Sequence, residues 1–166
     1  VVISSIEHHA IHVPAHWLAT HEGAEVIEIP VNSAGVIDLD FLKALVASRA
    51  NEIAVISVMH ANNETGVVQP IAEVVAIAGD IPVHTDAVQS FKKTPLSFSA
   101  LGVIAMSLSA HKIGGPFGIG ALILRRAVEI PTLVHGGGQE REIRSGTLNA
   151  PSIVAFAAAA KSAHYD

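Results

Sequence analysis

Residues 107–120 read SLSAHKIGGPFGIG. An apolar run ends at Leu108, small polar positions follow, and His111 stands beside Lys112. A glycine-rich segment then leads into a second apolar run. Gly114, Gly115, Gly118 and Gly120 let backbone come close to something bulky. Ser109 and His111 offer donors suited to an anion. A Lys among apolar neighbours can lose its proton and attack a carbonyl carbon. The stretch therefore reads as strand, chemically loaded turn and strand, with Lys112 as a candidate Schiff-base lysine.

Outward from this stretch the same pattern repeats. Val1 to Ser5, Ala24 to Ile29, Glu52 to Met59, Ile81 to Thr85, Val103 to Leu108 and Gly120 to Arg125 read as strands, several of them uniformly apolar. Helical spacing fills several of the gaps. A helix is expected from Val13 to Glu22, after a turn at Glu7 to His12, because Pro14 suits a first turn. Gly23 ends it. Asp38 has the place of an N-cap, with Ile37 and Leu42 as a hydrophobic staple. Leu42, Leu45, Val46 and Arg49 follow helical spacing. Pro70 to Ala78 and Pro151 to Ala163 complete the expected helices. Strands of this kind alternating with helices imply an α/β domain with a mostly parallel sheet flanked by helices. In open sheets of this class, ligands bind beyond the carboxyl ends of the strands. His8, Asn62–Asn63, Asp86–Gln89 and Ser109–Lys112 each follow a strand, so one edge should gather them.

Composition narrows the function classes. The 166 residues carry 15 acidic and 10 basic side chains, a formal charge of −5, and half are apolar. This suits one good core. No basic block marks a nucleic-acid groove. Cys is absent, which excludes disulfides and Cys-based zinc sites within the chain. No apolar run approaches the roughly 20 residues that span a bilayer. The start lacks the basic flank and long apolar region of a signal peptide. A soluble, cytoplasmic protein is expected. A chain that opens directly on a core strand also reads as a piece of a longer one.

Each cluster has an ordinary reading beside a chemical one. Asp86 could cap a helix or face a cationic ring nitrogen. Pyridoxal phosphate needs such a partner, because a protonated pyridine is the better electron sink. Gln89 could reach the same ligand. His8 could stack a flat ring on it. The Asn62–Asn63 amides could make a turn or bind a hydroxyl or carboxylate. The loop from His135, with Arg141, Arg144, Ser145 and Thr147, could offer free N–H groups and guanidinium to an anion. His8, His12 and His16 stand four apart. However, Pro14 argues against one helix through all three, and no carboxylate completes a set. No metal site is assigned.

Five motifs now stand in order: EHHA (7–10), MHANNETGVVQPI (59–71), HTDAVQ (84–89), SLSAHKIGGPFGIGAL (107–122) and HGGGQEREIRSGT (135–147). Together they resemble the cysteine desulfurases, pyridoxal-phosphate enzymes of the class V aminotransferase family. The resemblance implies the large cofactor-binding domain of the aspartate aminotransferase-like fold. Residues 1–166 would be that domain's core, without the family's N-terminal segment and C-terminal small domain. It further implies that Lys112 holds the cofactor and moves protons. His8 would stack on the ring and assist proton transfer, and Asp86 would pair with the ring nitrogen. Gln89 and Asn63 would contact the phenolic oxygen side, while Ser109 and His111 would bind the phosphate. Thr147 would reach the phosphate of the neighbouring subunit in a homodimer. L-cysteine would become L-alanine, with sulfur passed to an enzyme cysteine and then to an iron–sulfur scaffold or other acceptor. That cysteine is not among these residues. A selenocysteine lyase, another class V aminotransferase relative, or an inactive truncated core shares the same motifs. A nicotinamide-binding domain fits less well, since GIGALI leads into a strand and not a helix.

Overall fold

Val2, Ile3 and Ser4 form strand β1, with every side chain buried. This burial on both faces is what a central parallel strand requires. The computed structural model describes residues 1–162. Its elements run β1 (Val2–Ser4), α1 (His9–Glu22), β2 (Ile27–Ile29), α2 (Leu39–Arg49), β3 (Ile56–Ser57), α3 (Ile71–Ala78), β4 (Val83–Asp86), α4 (Phe98–Leu101), β5 (Ala105–Ser109), β6 (Gly120–Leu124) and α5 (Ala150–Ser162). One sheet of six strands has the order β2-β1-β3-β4-β5-β6. The first five strands pair in parallel and β6 is antiparallel to β5. The expected mostly parallel sheet flanked by helices is the one observed. No helix among the described residues is long and apolar enough to cross a membrane.

The core joins sheet and helices. Val2, Ile29, Ile56, Val58, Val83, Val103 and Met106 are buried against Leu42 of α2 and Ile71, Val74 and Ala78 of α3. Asp38 caps α2 as expected, accepting from the Asp40 and Phe41 amides at 3.0 and 2.9 Å. Ile37 and Leu42 are both buried beside that cap.

Three expectations on boundaries change. Helix α1 begins at His9, not Val13, and Pro14 lies inside it. The reason is local. His8 supplies its own cap, with Nδ1 accepting from the Ala10 amide at 3.1 Å. Pro14 removes one helical hydrogen bond, to the carbonyl of Ala10, which is exposed and can bond water instead. The run from Glu52 to Met59 is only partly ladder. Residues Ala50–Glu52 close α2 with a 3-10 turn before Ile56–Ser57 pairs. Apolar side chains report burial, and burial extends beyond the paired residues. The last helix begins one residue earlier than expected, and its expected end at Ala163 lies outside the described residues. Two short elements were not expected: α4, and a 3-10 turn over Ala110–Ile113 that carries Lys112.

Candidate functional site

The carboxyl ends of β1, β3, β4 and β5 open on one edge, because these adjacent strands are parallel. Buried and part-buried hydrogen bonds tie the loops beyond them together. Asn62 Nδ2 donates to the Ile6 carbonyl at 2.9 Å, joining the loop after β3 to the loop after β1. Its Oδ1 accepts from the Glu64 amide, the Thr65 amide and Thr65 Oγ1. The Met59 amide donates to Glu7 Oε1 at 2.6 Å. The His60 amide donates to the Asp86 carbonyl at 2.8 Å, and the Ala87 amide to the Ser107 carbonyl at 3.0 Å. These bonds form a latch that runs across three strand ends.

Asn62 is spent on structure and buried, whereas Asn63 is exposed at the loop tip. Asp86 is buried at the end of β4. Its Oδ1 accepts from the Val88 amide at 2.9 Å, capping a turn and not a helix, which leaves Oδ2 for another partner. Gln89 Oε1 accepts from Lys93 Nζ at 3.0 Å, so its NH2 is the end left to donate. His8 is exposed, and since Nδ1 accepts, the neutral ring carries its proton on Nε2.

Beyond β5 the groups are more open. Ser109 Oγ and His111 Nδ1 lie 2.7 Å apart. The two side chains expected to bind a phosphate thus form a hydrogen-bonded pair. Lys112 is exposed on its 3-10 turn and not enclosed by apolar neighbours, because the turn directs Ala110 inward in its place. The turn needs its glycines. A Cβ at Gly115 would sit 2.9 Å from the Ala110 carbonyl oxygen, and one at Gly120 would sit 2.7 Å from that of Leu108. A groove of about 510 Å3 between Ile113–Pro116 and Ala155, Ala158 and Ala159 of α5 lies beside this turn, and Lys112 does not line it.

The loop from His135 departs from expectation in its amides. The Gly138 amide donates to Ser145 Oγ at 3.2 Å and the Gly146 amide to Gln139 Oε1 at 2.9 Å. These N–H groups are therefore satisfied within the loop and are not free for an anion. Thr147 is exposed, and no hydrogen bond among the described residues joins it to the Lys112 turn.

Two features of the edge were not foreseen. Glu7 is buried, and burial pushes its carboxyl pKa up to about 8, with the Met59 amide opposing and the nearby Asp86 charge adding to the rise. A neutral Glu7 does not compete with Asp86 for a cation. Its Oε2 has no partner among the described residues. The second is a polar row across the sheet. His84 Nδ1 lies 2.8 Å from Ser57 Oγ and its Nε2 2.9 Å from Ser107 Oγ. Burial lowers the His84 pKa, partly offset by Asp86. Only Glu7 left a sequence signal, an acid placed directly after a buried strand.

Comparison with known proteins gives a consistent answer. The aminotransferase class-V family profile matches residues 1–164. An IscS-like cysteine desulfurase of Mycobacterium tuberculosis is 47% identical over 163 residues, covering 97% of this chain and 41% of that protein. Cysteine desulfurase IscS of Dictyoglomus turgidum is 45% identical over 156 residues, covering 93% and 39%. Among solved structures, a NifS-like protein superposes with TM-score 0.93 at 42% identity, covering 98% of this chain and 44% of that one. SspA in complex with cysteine superposes with TM-score 0.89 at 38% identity, covering 97% and 46%. The chain thus spans about two fifths of the length of the curated relatives it matches.

Proposed function

The chain belongs to the aminotransferase class-V family, and from that premise we propose that residues 1–166 are the cofactor-holding core of a pyridoxal-phosphate-dependent cysteine desulfurase. One observation carries the reading. His8, Asn63, Asp86 and the Ser109–Lys112 turn follow the carboxyl ends of β1, β3, β4 and β5, which are consecutive in the sheet. Neighbouring strands lie about 4.8 Å apart, so these groups share an edge roughly 14 Å wide.

The donor set fits pyridoxal phosphate: an exposed amine, a buried carboxylate with one oxygen uncommitted, and a hydroxyl–imidazole pair for a phosphate. Bound there, the cofactor supplies an electron sink for chemistry at an amino-acid α-carbon. Lys112 Nζ would hold the cofactor and would serve as the base that takes the substrate's α-proton. Asp86 Oδ2 keeps a proton on the ring nitrogen. His8 covers the ring face and carries a transferable proton on Nε2. Gln89 NH2 and Asn63 donate on the phenolic oxygen side. Ser109 and His111 hold the phosphate, and Thr147 serves the phosphate of the neighbouring subunit in a homodimer.

L-cysteine is the proposed substrate and L-alanine the product. With no Cys among the 166 residues, the sulfur goes to a thiol outside them. From there it passes to an acceptor such as an iron–sulfur scaffold, in the cytoplasm.

Borohydride trapping tests the assignment. The chain is mixed with pyridoxal phosphate, reduced and mapped by peptide mass. One adduct on Lys112, lost in Lys112→Ala, is expected. No adduct, or label spread over surface lysines, would remove the reading.

A further inference from the structure

Half of the ten histidines lie between residues 8 and 21, and of these five the proposed chemistry uses only His8. Because α1 is continuous through Pro14, His12 and His16 stand one turn apart on the same helix face. The helix then returns along β2, which presents Glu28 towards that face. Glu28 Oε1 lies 3.2 Å from His12 Nε2 and 3.2 Å from His16 Nε2. The three ligand atoms all fall within 4.8 Å of one another. Both arguments against a metal site at the sequence level, the break at Pro14 and the missing carboxylate, are thereby gone.

We propose that His12, His16 and Glu28 bind a divalent first-row transition ion, zinc above all. Zinc bonds of about 2.0–2.2 Å to imidazole nitrogen and carboxylate oxygen in a tetrahedron place neighbouring ligand atoms about 3.3 Å apart. The two nitrogen–oxygen separations already have that length. Two imidazoles and one carboxylate suit zinc, nickel or copper and not magnesium or calcium, which take oxygen sets. The side chains keep 30%, 49% and 37% of their surface exposed, so an ion can enter and the ligands can adjust by side-chain rotation. Three protein ligands leave a fourth position for water or an incoming donor. The ion would cross-link α1 to β2, reinforcing the two contacts that already join His12 and His16 to Glu28.

The probe is zinc chloride titrated calorimetrically into the untagged full chain after stripping with chelator. One equivalent should bind, and zinc should raise the melting temperature, since it binds the folded chain preferentially. His12→Ala, His16→Ala and Glu28→Gln should each weaken binding at least tenfold, while His9→Ala and His21→Ala leave it unchanged. Cobalt substitution adds a reading that needs no variant. Intense visible bands of a four- or five-coordinate ion support the site, and the weak bands of a six-coordinate hydrated ion overturn it. No saturable binding, binding that survives loss of any of the three ligands, or equal loss in His21→Ala would also overturn it.

Discussion

The two halves of the reactive edge are built differently. The loops after β1, β3 and β4 spend their polar groups on each other: Asn62 on Ile6, Glu64 and Thr65, Glu7 on Met59, and His60 on Asp86. Beyond β5, Lys112, His111 and Thr147 are exposed, and the loop from His135 bends through left-handed residues. The difference separates scaffold from reagent. The latch is made from buried and part-buried bonds within the chain that need no ligand. Lys112, His111 and Thr147, to which the proposed function gives the amine and phosphate contacts, sit on a turn and a loop with exposed side chains, whereas His8, Asn63 and Asp86 stand on the latched loops.

Adjacent asparagines give the sharpest way to break this comparison. Asn62→Ala leaves the Ile6 carbonyl and the Glu64 and Thr65 amides without their partner. It should cost about 2–4 kcal/mol in urea unfolding. Asn63→Ala, at the exposed tip, should stay within about 0.5 kcal/mol yet weaken pyridoxal-phosphate binding. Equal stability losses for the two would show that the latch is not a structural unit.

Glu7 sharpens the same division through pH. Its folded pKa of about 8 lies above the ordinary 4.5, chiefly because burial penalises the charge. An acid whose pKa rises on folding binds its proton more tightly in the folded state. That contribution is fully present below about pH 4.5 and is lost as pH climbs towards 8. Stability should therefore fall across that window. Glu7→Gln retains an acceptor for the Met59 amide and has no charge to bury. It should flatten the profile and gain no more than roughly 3 kcal/mol at pH 7. An unchanged slope in Glu7→Gln would place the titration elsewhere.

Much of this was legible in the sequence, for identifiable reasons. Buried strands carry apolar side chains at most positions even where polar ones such as His84 and Ser107 intervene, so β1, β3, β4 and β5 and the polar groups behind them could be placed along one edge. Asp38 announced its cap because capping is local. The unread parts depend on distance along the chain. Glu7 meets Met59 across 52 residues, and Glu28 meets His16 across 12. Neither pairing leaves a periodic trace. The start of α1 failed for a different reason. Pro14 favours a first turn, but the imidazole of His8 caps the helix earlier, and the cap prevails.

The smallest expected effect tests the other side of the comparison. Glu140, Arg141 and Glu142 have φ of 50°, 57° and 66°, consecutive left-handed residues none of which is glycine. Such backbone costs about 1–2 kcal/mol per residue. The latch residues show no positive φ, while this loop, which carries Arg141 and leads to Thr147, holds three. Strain of this kind persists where surrounding contacts or function maintain it. Arg141→Gly relieves one position but makes the unfolded chain more flexible. The net gain should be only about 0.5–1 kcal/mol in urea unfolding. A cost above about 1 kcal/mol would mean that the Arg141 side chain stabilises the loop by contacts that outweigh its strain. The loop would then be scaffold like the latch, and the division between the two halves would fail at this point.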